Sequence, residues 1–163
     1  MKLFYRLKIQ IVLMNISIDF KWEPVFIRES EHYYFPNEIS DFMRRKYKAP
    51  AIYRWVVEKD GKIVSMYVGE ADELCPRRIY GYLNPGPSQM TNIRINDLFH
   101  QLISQGNKIW LEHLVLSSFI FDGKTITPSD LGKKTVRMFL ENLILIHYES
   151  SGITILNQAV KSK

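Results

Sequence analysis

Ala51-Ile52-Tyr53-Arg54-Trp55-Val56-Val57-Glu58-Lys59-Asp60-Gly61-Lys62-Ile63-Val64-Ser65-Met66-Tyr67-Val68-Gly69-Glu70-Ala71 is the stretch that decides the fold. Two runs rich in β-branched and aromatic residues, Ala51–Glu58 and Ile63–Ala71, flank the pair Asp60-Gly61. Asp-Gly tolerates the positive φ angles of a tight hairpin turn, so the spacing predicts two neighbouring antiparallel strands. Tyr53 and Tyr67 then lie close in space. Sheet packing is reason enough for two tyrosines, so the hairpin alone specifies architecture and not chemistry.

Downstream, a short helix is expected near Cys75-Pro76, because proline in a first turn removes no hydrogen bond. Arg78 and Tyr82 are four apart and share one face of it. Asn84-Pro85-Gly86-Pro87-Ser88 reads as a loop. From Thr91, a stripe of Ile95, Leu98, Phe99, Leu102 and Ile103 predicts a second helix, stopped at Gly106. Lys108–Leu116 reads as a third strand and Ser117–Ser129 as a polar connection holding Asp122-Gly123. Thr127-Pro128 or Ser129 opens a long helix with apolar Val136, Phe139, Leu140, Leu143, Ile144 and Ile146. Gly152 breaks it, and Ile153–Asn157 is a last short strand.

Upstream, Ile16, Ile18 and Phe20 alternate with polar neighbours as on a half-buried strand. Trp22, Val25, Phe26 and Ile27 suggest a second strand after Pro24. Tyr33-Tyr34-Phe35-Pro36 reads as an aromatic loop, and Asn37 as the cap of a short helix through about Arg45. The order predicts an α+β fold: a small mixed or antiparallel sheet flanked by helices. Residues 1–50 form an N-terminal β/α extension packed on a core of residues 51–163, the whole being one globular unit.

A chain of 163 residues has room for one sizeable core, and 46% hydrophobic with 24% charged residues is ordinary for a globular protein. The lone Cys75 excludes an intrachain disulfide, fits a reducing compartment and reads as a small apolar filler. The start of the chain has a faint signal-peptide look, but its uninterrupted apolar run, Ile11–Met14, is shorter than the hydrophobic region of a signal peptide. The expectation is a cytoplasmic protein with no membrane association, with Met14 as an alternative start.

The net charge of +5 favours an anionic partner, nucleic acid first. Arg44-Arg45-Lys46-Tyr47-Lys48 is the densest basic run. It reads either as a phosphate-contacting patch with an aromatic stacker or as a solvated helix end whose cations suit the dipole. Asn92 and Arg94 open the second helix on its polar side and, with Arg77, are further candidates for nucleic-acid contact. His32, His100, His113 and His147 show no metal-ligand spacing.

Taken in order, Ala51-Ile52-Tyr53, Tyr67-Val68-Gly69, Arg78 with Tyr82, Glu141 and Asn157 resemble the motif set of the GIY-YIG nuclease family. The resemblance runs from about Ala51 to Asn157, with alanine at position 51 replacing the family's first glycine. Arg77 stands at the commoner distance from Tyr67, but its partner four residues on is Gly81, which has no side chain. Arg78 puts Tyr82 there at the cost of one inserted residue, and is chosen.

The resemblance implies a metal-dependent endonuclease that hydrolyses phosphodiester bonds of double-stranded DNA. Its catalytic residues would be Tyr53, Tyr67, Arg78, Tyr82, Glu141 and Asn157. Glu141 would hold Mg2+, or Mn2+, as one hard oxygen ligand beside waters and substrate phosphate. Arg78 offers a permanently charged donor fork to the phosphate. Tyr53 is implied as the group that takes the water's proton, with Tyr67 and Tyr82 positioning water or phosphate. The compact layout resembles the family's restriction enzymes, which leaves a homodimer open. Two alternatives also stay open: a non-catalytic nucleic-acid-binding module of the same fold, and a nuclease acting on RNA or damaged DNA.

Overall fold

The computed structural model describes residues 15–158. The readings placed on residues 1–14 and on the Lys-rich tail lie outside the described residues. The predicted hairpin is present as β4 (Ala51–Lys59) and β5 (Lys62–Ala71), paired antiparallel with Tyr53 opposite Gly69 and Trp55 opposite Tyr67. Asp60 and Gly61 hold φ of 52° and 77°, the positive values that the tight turn requires. A bulge at Val64, which has no partner between the Ser65 and Ile63 pairs, puts Ser65, Tyr67 and Gly69 on the face of Trp55.

The remaining strands are β1 (Ile16–Pro24), β2 (Phe26–Arg28), β3 (Glu31–His32), β6 (Lys108–Phe121), β7 (Lys124–Thr125) and β8 (Thr154–Ile155). The main sheet has six strands in the order β1-β6-β4-β5-β8, with β7 added to β6. Among the described residues only β5 and β8 pair in parallel. Helices α1 (Asp41–Lys46), α2 (Ile79–Leu83), α3 (Met90–Ser104) and α4 (Lys134–Glu149) flank it, so the fold is α+β with a mixed sheet. Among the described residues no helix is long and apolar enough to cross a membrane.

Several boundaries differ from expectation; the long helix expected to open at Thr127-Pro128 or Ser129 opens only at Lys134, because a separate tight turn occupies Pro128–Gly132. Trp22 and Pro24 do not start a second strand but end β1, which pairs with β6 from Ile16↔Phe121 to Pro24↔Glu112. For the same reason β6 continues past Leu116, absorbing Ser117 as a bulge. Ser117–Phe121 reads as polar loop in isolation, yet β1 supplies its hydrogen bonds and Phe119 packs inward. Finally, Ser40 rather than Asn37 caps α1, its hydroxyl accepting from the Met43 N–H at 3.1 Å.

Alternation along the strands sorts two cores. On one face Tyr53, Trp55, Tyr67 and Leu111 pack with α2, α3 and the aromatic segment Tyr33–Phe35. On the other, Ile52, Met66, Val68 and Phe119 pack with Leu140 and Ile144 of α4. The second face also carries a polar network. Arg54 Nε donates to Glu112 at 2.6 Å and Nη1 to the Tyr148 hydroxyl at 2.9 Å, while the Trp22 indole N–H reaches the same hydroxyl at 2.9 Å. Residues 15–50 are thus not an appendage: β1 is a full strand of the sheet, and Val25, Tyr33 and Met43 are completely buried in the first core.

Candidate active site

Gly69 explains why a glycine follows Tyr67-Val68. A Cβ built there would lie 2.3 Å from the Tyr53 hydroxyl oxygen, so only the missing side chain leaves room for the Tyr53 ring across the strand pair. Tyr82 descends from α2 onto the same spot. Its hydroxyl lies 2.6 Å from that of Tyr53, and its ring meets those of Tyr53 and Tyr67 edge-on at 6.2 and 5.9 Å between centroids. All three tyrosines are buried: Tyr53 is 1% exposed, Tyr82 0% and Tyr67 8%. Burial raises the pKa of Tyr53 far above its ordinary value, and the nearby Arg78 charge only partly opposes it. Burial also raises Tyr82, reinforced by its tyrosine neighbours. The Arg78 cation is thus close enough to favour a phenolate at Tyr53, but desolvation outweighs it.

The chain reaches Tyr82 through a wide turn, Leu74–Arg78, in which the Arg78 N–H bonds back to the Glu73 carbonyl five residues before it. The helix expected to begin near Cys75 is interrupted there, because Cys75 is extended (φ −128°, ψ 131°), and α2 itself opens at Ile79. Burial pushes the Cys75 thiol up to about 11, in keeping with an inert filler. The turn separates the two arginines. Arg77 points outward to Asp72 at 3.0 Å, both side chains being well exposed. Arg78 turns inward, and Nη2 donates to the Glu70 carbonyl at 3.1 Å. Desolvation works against its charge, but Tyr53, Tyr82, Tyr67 and Glu70 around it hold its pKa above the ordinary value. Gly81 has a separate cause: a Cβ there would come within 2.9 Å of the Asn92 side-chain nitrogen, so α2 and α3 approach closely at this point.

Glu141 comes from α4, which packs on the second face of the sheet, and is half-buried. Desolvation and the neighbouring Glu70 carboxylate raise its pKa, and Arg78 partly offsets them. Among the described residues no cation forms an ion pair with it. A half-buried carboxylate of this kind, lacking a close counter-ion, fits a hard divalent cation. No three His, Cys, Asp or Glu side chains gather into a metal cage among the described residues. A cation here would therefore lean on Glu141 together with water and a bound phosphate.

Asn157 completes the edge of β5. Its side-chain oxygen accepts from the Val68 N–H at 3.0 Å and its amide donates to the Val68 carbonyl at 2.6 Å. These bonds continue the pairing that β8 and the Leu156 N–H begin at Ser65 and Met66. Arg94, a candidate for nucleic-acid contact, instead donates to the backbone carbonyl of Leu156 at 3.1 Å and holds that segment in place. Asn92 lies beside a polar cleft of about 170 Å³, lined also by Asp72, Glu73, Arg77, Arg78 and Gln89.

The basic run is exposed at Arg44, Arg45, Lys46 and Lys48 and closes α1. Its aromatic residue is not a free stacker. Tyr47 is buried, its hydroxyl accepts from the Phe26 N–H at 3.0 Å, and Lys46 lies over the rings of Phe42 and Phe26. Backbone bonds from Cys75 to Tyr47 and from Leu74 to Ala49 place this patch against the turn that carries Arg77 and Arg78.

Sequence reasoning missed Glu70 and Arg137. Arg137 is 4% exposed on α4, and its Nε donates to Glu70 Oε2 at 2.6 Å. The one signal was an arginine next to the apolar stripe of the last helix. Compared with protein-family models, curated proteins and solved structures, the chain has no match.

Proposed function

We propose that this chain is a GIY-YIG-like nuclease that hydrolyses phosphodiester bonds of double-stranded DNA with the help of Mg2+. One observation carries the reading. Residues distant in sequence come together: the Tyr53, Tyr67 and Tyr82 rings from β4, β5 and α2, the inward Arg78 of the turn before α2, and half-buried Glu141 of α4, near enough to feel the charges of Glu70 and Arg78. Sheet packing needs the rings but neither the arginine nor the glutamate.

In this reading Arg78 binds a non-bridging phosphate oxygen and stabilises the charge that builds on it. Glu141 holds the cation, which when bound supplies Lewis-acid charge to the phosphate. Tyr53 and Tyr82 form a hydrogen-bonded frame that keeps Arg78 aimed. Taking a proton would require a phenolate at Tyr53, which its burial disfavours, so Tyr67, the least buried of the three, is assigned to the attacking water. The exposed Arg44, Arg45, Lys46 and Lys48, with Arg77, contact flanking phosphates.

The burial of Tyr53 and Tyr82 favours a second reading, a binding module that keeps the fold without the reaction. Plasmid cleavage with and without Mg2+, wild type beside Glu141→Ala, separates them. Metal-dependent nicking or linearisation that the variant loses is the expected result. Retained DNA binding with no cleavage of plasmid, single strands or RNA would establish the binding module instead.

A further inference from the structure

Arg137 and Glu141 are four residues apart on α4 and so stand side by side on one helix face. A guanidinium in that position is spaced to reach the Glu141 carboxylate, yet it forms no ion pair with it. It is paired elsewhere: Nε donates to Glu70 Oε2 at 2.6 Å, and Nη1 to the carbonyls of Leu131 and Gly132 at 2.8 and 3.0 Å. The Arg137 and Glu70 side chains are 5% and 16% exposed, so solvent screens this pair little. Glu70 directly follows Gly69 on β5, and its carbonyl also receives Arg78. One residue thus holds an arginine on each side of the strand edge. Glu70 is also close enough to Glu141 for its charge to be felt there.

We propose that Glu70 is a positioning residue: by taking Arg137 as its ion-pair partner, it keeps the Glu141 carboxylate free to receive a divalent cation. The proposal rests on the reading of Glu141 as the cation's ligand. Without Glu70, the guanidinium can turn to Glu141 one turn along its own helix, and the two would neutralise each other.

The test is a titration of Mn2+ alone into the full-length protein without DNA, followed by loss of the free-ion EPR signal. Glu70→Gln keeps the shape of the side chain and removes its charge; it is expected to weaken Mn2+ binding by about tenfold or more. Adding Arg137→Met to it removes the competitor and is expected to restore binding to within about twofold of wild type, a coupling that a purely structural role would not produce. Arg137→Met alone should bind no more weakly than wild type, which keeps the test running where Glu70→Gln fails to fold. Wild-type affinity in Glu70→Gln, a double variant as weak as the single, or weakened binding in Arg137→Met overturns the proposal. If Glu141→Ala abolishes Mn2+ binding while Glu70→Gln leaves it unchanged, this proposal alone falls. A wild type that binds no Mn2+, or an unaffected Glu141→Ala, overturns it together with the metal reading of Glu141.

Discussion

Glu141 carries a consequence for stability as well as for chemistry. Burial and Glu70 disfavour its charged form, so the folded chain keeps this proton to a higher pH than the unfolded chain does. The group therefore contributes stability below its unfolded pKa, and that contribution is lost as pH rises through the elevated folded value. Glu141→Gln, a permanently neutral mimic, is expected to melt above the wild type at neutral pH. The gap should close on acidification, as thermal unfolding across the acidic range would show. The same variant should lose cleavage by at least about a hundredfold, the scale of a missing transition-state contact. A residue that stabilises when removed yet abolishes activity is kept for function. Gly69 is the other decisive position. Alanine there drives a Cβ into the buried Tyr53 ring, and overpacking of this kind costs about 1–3 kcal/mol in chemical denaturation.

At the level of elements, the edge of β5 is finished by a side chain. β8 pairs only at Ser65 and Met66, and Asn157 takes over at Val68 with one bond donated and one accepted. Asn157→Ala leaves both Val68 backbone groups without that partner and is expected to cost about 1–3 kcal/mol. Hydrogen exchange at the Val68 amide should accelerate first. On the opposite face, the Arg54–Glu112 pair at 2.6 Å joins the two central strands, and Tyr148 of α4 completes it. Removing one partner alone, as in Glu112→Ala, strands a largely buried charge and should destabilise by about 3–5 kcal/mol. Helix α1 plays a different part. Among the described residues its exposed cations form no ion pair, so Arg45→Ala should weaken DNA binding evenly across sequences and lower the slope against log salt by about 1.

Across the whole molecule, the short-range code was the part open to reading in advance. Asp60-Gly61 determined the hairpin because only residues at ease with positive φ turn a chain in two steps. The stripe from Ile95 to Ile103 determined α3, and that from Val136 to Ile144 determined α4, since a 3.6-residue period lines up one face without reference to anything distant. That Arg78 and Tyr82 would share a helix face was legible for the same reason. Other features depended on long-range meetings. β1 and the far half of β6 are strands because each completes the other's hydrogen bonds about a hundred residues apart. Arg77 and Arg78 are indistinguishable in composition, and only the wide turn sends one outward and the other to Glu70. The Glu70–Arg137 pair spans 67 positions, and the depth at which Tyr53 lies was set by α2 closing over it. The sequence by itself thus determined the turns, the amphipathic helices and the order of the candidate residues. The tertiary structure decided which charges meet and how far water is excluded from them, because burial and ion pairing depend on neighbours brought together by the fold.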